Sequence, residues 1–204
     1  LSVPRSIAVA IQFVLFEVGV LVFGWYYGLW NAVLAGTAAV AVAAVGSVEM
    51  HRLGAKNRLL STPPSHKRLL FGTSIEIVLG VLAFIALLTY LIAVEGTLLT
   101  QLFGANPPIP VVYLTLLILW DLTYRIGTSW WSAVVALWRA VHLDLPTDEA
   151  ASARRLDAEN IGFSVLQLAL VPFLLDEPIL LGAVVGHVLA VAVVCSAAIL
   201  LTRP

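Results

Sequence analysis

The chain has 204 residues, of which 61% are hydrophobic and only 11% charged, with a formal net charge of −1. A soluble domain carries roughly 25% charged residues, so this deficit excludes a surface that faces water throughout. Together with a mean hydropathy of +1.01, it predicts an all-α polytopic membrane protein forming one bundle over residues 1–204.

A helical crossing needs about 20 apolar residues, and the alternating pattern of a membrane barrel is absent. Six crossings are expected, at about 6–25, 31–49, 69–93, 109–138, 160–175 and 178–202. The first has an apolar run longer than a signal core and no small-residue cleavage site soon after it, so it reads as a retained helix. It carries Gln12 and Glu17. The second, "AVLAGTAAVAVAAVGS", is built from small side chains that let neighbouring backbones approach. The prolines of "STPPSH" break the loop that follows. The third crossing holds Glu76, with Thr73 one turn before and Gly80 one turn after.

The fourth crossing contains "WDLTYRIGTSWW". Asp121 and Arg125 are four residues apart, acid first, so they share a face and suit an ion pair. Thr128 and Ser132 continue that stripe, and Trp120, Tyr124, Gly127 and Trp131 form an aromatic stripe beside it, with Trp138 beyond. From Pro110 to Trp138 this helix would span about 43 Å, against about 30 Å of hydrocarbon. It must tilt, kink near Gly127, or project beyond the bilayer. "HLDLPTDEAASARRLDAEN" reads as a solvated connector of mixed charge. The fifth crossing is short, with Gln167 and Pro172 inside it, and a hairpin with the sixth is the alternative. In the sixth, Asp176 is the expected cap, with Glu177 and Pro178 in the first turn. That helix carries His187 and a stripe of Gly182, Gly186 and Ala190, suited to internal packing or to a homo-oligomer.

Basic residues stay on the cytoplasmic side in short loops. With six crossings and both termini cytoplasmic, Arg5, Arg52, Lys56, Arg58, Lys67, Arg68, Arg139, Arg154, Arg155 and Arg203 all fall on that side. Only Arg125 lies within a crossing. The aromatics of "WYYGLW" sit where the outer headgroups belong.

A charge at the bilayer centre costs roughly 2.5–3.5 kcal/mol on insertion scales. Glu17, Glu76, Asp121, Arg125 and His187 are therefore expected to turn inward as one polar cluster, with Gln12, Thr73, Tyr124, Thr128, Ser132 and Gln167 in support. Glu17 and Asp121 lie at similar depths in their helices, as do Glu76 and His187, which raises a weak 3+3 inverted repeat. The acidic surplus favours a proton or small-ion channel or transporter. The alternatives are a non-catalytic membrane subunit with structural charges and an intramembrane lipid-modifying enzyme.

Other chemistry is excluded by what the helices lack. Both lysines fall in a loop, so no retinal Schiff base forms inside the bundle. One intramembrane histidine cannot supply two haem ligands. HExxH and GxSxG motifs and phosphate-binding glycine loops are absent. Cys195 is the only cysteine and reads as a packing residue. No catalytic residue, metal, cofactor or nucleic-acid partner is assigned. The expected partner is the lipid bilayer, and the expected location the plasma membrane.

Overall fold

The computed structural model describes residues 5–94 and 97–203, and of Arg5, Ser6, Ala8, Phe71, Val94 and Thr97 the backbone alone. Glu95 and Gly96, which open the expected outer connection, therefore lie outside the described residues. The described chain is helical, with no strand. Its elements are α1 (Arg5–Tyr27), α2 (Trp30–Leu59), α3 (Pro64–Phe71) and α4 (Ile75–Thr89), the last running into a π-helical turn (Tyr90–Val94). Then come α5 (Thr97–Phe103), α6 (Ile109–His142), α7 (Thr147–Leu166), a 3-10 segment (Gln167–Phe173) and α8 (Pro178–Leu201). Five helical stretches are long and apolar enough to cross a membrane: Val9–Tyr27, Trp30–Leu59, Pro64–Ala93, Ile109–His142 and Pro178–Leu201.

Several segments expected as loops are helical. No proline interrupts the chain between Glu49 and Leu59, so α2 continues through what reads as a loop and ends where Leu60 turns extended. The prolines then start a new helix, with Pro64 in the first turn of α3. The single helix expected over 69–93 is divided, because Ser74 adopts a left-handed conformation (φ 55°) that no helix accommodates. The mixed-charge connector shrinks to residues 143–146, and α7 begins at Thr147. Residues 160–175 form the end of α7 and the 3-10 segment, which contains Pro172. At the start of α8 the N-cap is Glu177, not Asp176, and no side chain caps the helix.

α6 has no break at Gly127. The helix runs unbroken to His142. Gly127 serves close packing instead: a Cβ there would lie 3.1 Å from the backbone nitrogen of Gly80, and one on Gly80 would lie 3.2 Å from Cα of Tyr124. The backbones of α4 and α6 thus touch. Around this crossing Trp120 stacks on Tyr124 (centroids 6.2 Å) and Phe84 meets Trp120 edge-on (5.5 Å). Trp131 donates its indole N–H to the Leu69 carbonyl in α3 (3.2 Å), and Trp138 stacks on the buried His66 (5.8 Å). The aromatic stripe of α6 is therefore a packing seam.

The described basic residues outside the bundle gather at one end of it. Lys56 and Arg52 reach Glu159 (2.9 and 3.4 Å), Lys67 reaches the Arg58 carbonyl, and Arg154 donates to the carbonyl of Thr202 (2.6 Å). There Ala150, Ala153 and Leu156 of α7 pack on Leu53, Leu60 and Leu145. At the opposite end Tyr90, past α4, donates to Glu177, before α8 (2.9 Å). The chain from Thr147 to Phe173 consequently runs from the basic end toward the other, antiparallel to α8. Val188, Val191, Cys195 and Ala198 turn α8 inward, whereas Gly182 and Gly186 meet nothing within 4 Å.

The two glycine sets should respond oppositely to substitution. Gly127→Val forces α4 and α6 apart and should cost about 1–3 kcal/mol, as overpacking does. Gly182→Ala should leave stability unchanged or slightly raised. Thermal unfolding in detergent measures both.

Candidate functional site

The Asp121–Arg125 pair forms within α6. Arg125 donates from Nη2 to Asp121 Oδ1 (2.9 Å) and from Nε to Oδ2 (3.4 Å). Gln12 of α1 donates to the same carboxylate (3.4 Å), and the guanidinium lies 5.5 Å from the ring of Tyr124. Asp121 is buried, so the acid is neutralised inside the protein. Gln12, Tyr124, Asp121 and Arg125 thus form one group.

The other expected residues stand apart from it. Glu17 accepts the hydroxyl of Thr37 in α2 (2.8 Å). Glu76 lies in the first turn of α4 with its Oε2 buried and unpartnered. Thr73 and Thr128 donate to carbonyls in their own helical turns, Leu69 and Tyr124. His187 has a buried Nε2 with no partner. Among the described residues, no hydrogen bond or ion pair joins Glu17, Glu76 or His187 to the Asp121–Arg125 group.

A second polar set includes Gln167 and Ser132 of the expected residues, and its other members escaped the sequence reading. Asp157, Asn160, Ser164 and Gln167 recur at helical spacing along α7 and its 3-10 extension, and all are buried. Asp157 receives Arg139 of α6 at 2.6 Å, with the two side chains 5% and 2% exposed. The Asn160 carbonyl oxygen accepts from Ser129 (2.8 Å), while its amide donates to the Ser129 carbonyl (3.0 Å) and toward the Cys195 sulfur (3.6 Å). Ser164 donates to Ile161, and Gln167 is fully buried with neither amide atom partnered. The signal was present as a polar stripe at 157, 160, 164 and 167. It was masked because its first two members, Asp157 and Asn160, fell in a segment read as solvated linker.

Between these residues lies a cavity of about 10 Å³, bordered by Asn57, Ser132, Arg139, Asp157 and Asn160. That is close to the least space that holds one water. Ser132 therefore belongs to this set rather than to the Asp121 group. Burial pushes the Asp157 carboxyl up to about 6, against the opposing charge and hydrogen bond of Arg139. Nearby, burial also raises Glu159, but the hydrogen bond and charge of Lys56, with Arg52 and Arg155, prevail and hold it below its ordinary value.

The opposite half of the bundle contains a cavity of about 500 Å³. Its walls come from α1, α2, α4 with its π-turn, α5, α6, the 3-10 segment and α8. No Asp, Glu, Lys, Arg, Ser or Cys lines it. Of its polar lining, Thr115 and Thr123 bond to carbonyls of their own helix, and Tyr90 bonds to Glu177. His187 is the lining residue whose buried nitrogen lacks a partner.

A helical bundle with long apolar helices, buried ion pairs and a half-open apolar cavity defines a helical membrane protein. The chain belongs to the family described as "Family of unknown function (DUF7530)", whose model matches residues 1–198. No curated protein and no solved structure matches it.

Arg139→Met or Asp157→Leu alone leaves an uncompensated buried charge and should cost about 3–5 kcal/mol, whereas the double variant should recover most of that loss. Chemical unfolding of the three proteins tests this.

The Asp157 carboxyl titrates higher in the fold than its ordinary value of 3.8. It takes up a proton on folding between those values, so its contribution favours the fold increasingly as pH falls through about 6. The stability of the wild type relative to Asp157→Asn should therefore rise between pH 7 and pH 5. Melting curves across that interval measure the trend.

Proposed function

We propose that this chain is a multi-pass membrane protein that takes up an apolar, membrane-soluble molecule, and that its buried charges hold the bundle together. The observation that carries this reading is the 500 Å³ cavity, which has the size of a small-molecule site and no charged lining residue. A bilayer supplies such molecules from the side. The Asp121–Arg125 and Arg139–Asp157 pairs are both closed within the protein, with only Nε of Arg139 left unpartnered.

A proton or ion pathway through Glu17, Glu76, Asp121, Arg125 and His187 has less support. Those residues form separate groups, and the cavity beside the charged seam has room for about one water. An enzyme acting on lipid would need a nucleophile freed for attack, whereas at the large cavity the Thr115 and Thr123 hydroxyls bond to backbone carbonyls of α6 and Tyr90 bonds to Glu177. Six crossings of one bundle, with both termini cytoplasmic, are supported by the collection of basic side chains at a single end and by the antiparallel course of α7 and α8. The Gly182–Gly186 stripe faces open space, so self-association through it would not compete with the fold. The unequal construction of the two halves, one with a separate α3 and the other with a 3-10 segment, speaks against an inverted repeat.

Purified protein in phosphatidylcholine nanodiscs should bind radiolabelled hexadecane saturably. A variant with Ala86→Phe and Ala183→Phe, which fills the cavity, should lose that binding while keeping its melting temperature. Vesicles carrying the protein should leak protons no faster than empty vesicles under an imposed pH gradient. Absence of saturable binding, together with a flux abolished by Glu17→Gln, would replace this reading with conduction.

A further inference from the structure

Where α2 meets α7, at the basic end of the bundle, the cations outnumber the acids that hold them. Glu159 of α7 accepts from Lys56 (2.9 Å), Arg52 (3.4 Å) and Arg155 (3.4 Å). Arg52 also faces Glu49 across 3.6 Å. Three cations thus share two carboxylates, and one positive charge is left over. The central acid is 17% exposed, whereas the cations around it are 39–77% exposed. Their donors are not exhausted. Arg155 engages Glu159 through Nε, and among the described residues no acceptor meets its two terminal nitrogens. Lys56 gives Nζ to both oxygens of Glu159 (2.9 and 3.0 Å) and retains a third proton.

The surface beside this cluster is apolar. On α2, Ala41 and Val45 share the face of Arg52 and Lys56; on α7, Gly162 and Leu166 continue the face of Arg155 and Glu159. All four of these apolar positions are exposed. Phe163 of α7 lies against Gly46 of α2, which sets the two faces side by side. A Cβ on Gly162 would meet nothing within 4 Å, so the seam between the helices is open there. Charge therefore gives way to hydrocarbon-facing surface at one level on both helices. A phosphodiester at that level meets guanidinium groups whose forked donors match its oxygens. Acyl chains attached to it meet the apolar faces. A soluble anion would use only the charged half, and a zwitterionic lipid brings its own cation to a cluster that already has an excess.

We propose that Arg52, Lys56 and Arg155 form a headgroup site for an anionic phospholipid of the leaflet at the basic end. The phosphate accepts from the terminal nitrogens of Arg155 and from Lys56, and the acyl chains lie along the α2–α7 seam. Glu159 holds the three cations together when no lipid is bound. The site is separate from the large cavity and does not depend on what that cavity takes up.

The full chain in dodecylmaltoside, titrated with phosphatidylglycerol, phosphatidylcholine or glycerol 3-phosphate, tests this through the rise in melting temperature. Phosphatidylglycerol should stabilise saturably and at lower concentration than phosphatidylcholine, and glycerol 3-phosphate should do nothing at the same concentrations. Arg155→Gln and Arg52→Gln should each raise the half-saturating concentration of phosphatidylglycerol about fivefold, as loss of one basic residue at an anionic surface implies. Arg68→Gln, at the same end but outside the cluster, should leave it unchanged. Equal stabilisation by the two lipids would overturn the proposal, and so would an equal response to glycerol 3-phosphate, which would make the site one for a free anion. A loss in Arg68→Gln as large as that in Arg155→Gln would also overturn it, because the attraction would then belong to the whole basic end. The wild-type comparison of lipids decides even if Arg52→Gln fails to fold.

Discussion

Hydrocarbon offers no hydrogen bonds, and α6 carries polar groups through a thickness that consists of little else. That constraint organises the molecule. Asp121 and Arg125 answer each other within the helix, with Gln12 adding a donor from α1. Ser129 and Arg139 lie further along and find their partners outside the helix. Each is met by α7, through Asn160 and Asp157. The polar stripe on α7 is thus the complement of the one on α6, and α8 closes the layer with Cys195 and Ala198, both fully buried. A segment too short and too polar to read as a secure crossing is held against α6 by Asp157 and Asn160, while Gln167 further along is buried without a partner.

The same arrangement separates two kinds of interior. Toward the basic end, helices approach through small residues and pair their polar groups. The Gly80–Gly127 contact and the packing of Phe163 against Gly46 leave little space. Toward the opposite end, α1, α2 and α6 diverge around side chains that do not fill the gap, and α5 contributes Leu98, Leu99, Leu102 and Phe103 to its wall. The charged seam gives rigidity, and the apolar half gives room.

Local patterns were legible in the sequence, and long-range pairings were not. Apolar stretches marked the long helices, and the four-residue spacing of Asp121 and Arg125 declared a pair, because both depend on one helix alone. Glu17 and Asp121 looked alike at that level, yet one meets Thr37 and the other Gln12 and Arg125, since each outcome depends on which helix lies opposite. The Arg139–Asp157 bridge was hidden for a further reason: both residues sat beyond the apolar runs and read as solvated charges. Prolines were read correctly as breaks, but 50–59 contains none and stayed helical. The large cavity had no sequence signature, because it arises from volume left unfilled among seven helical elements rather than from any residue's chemistry.

Cys195 offers the most direct probe of whether the seam is closed. It is the only cysteine in the chain, fully buried, and within 3.6 Å of the Asn160 amide. A charged, water-soluble methanethiosulfonate reagent applied to native vesicles from either face should leave it unmodified, with full modification appearing only after denaturation. Rapid modification in the native state, at the rate of an exposed thiol, would mean that water runs through the seam and would contradict a closed architecture of paired charges.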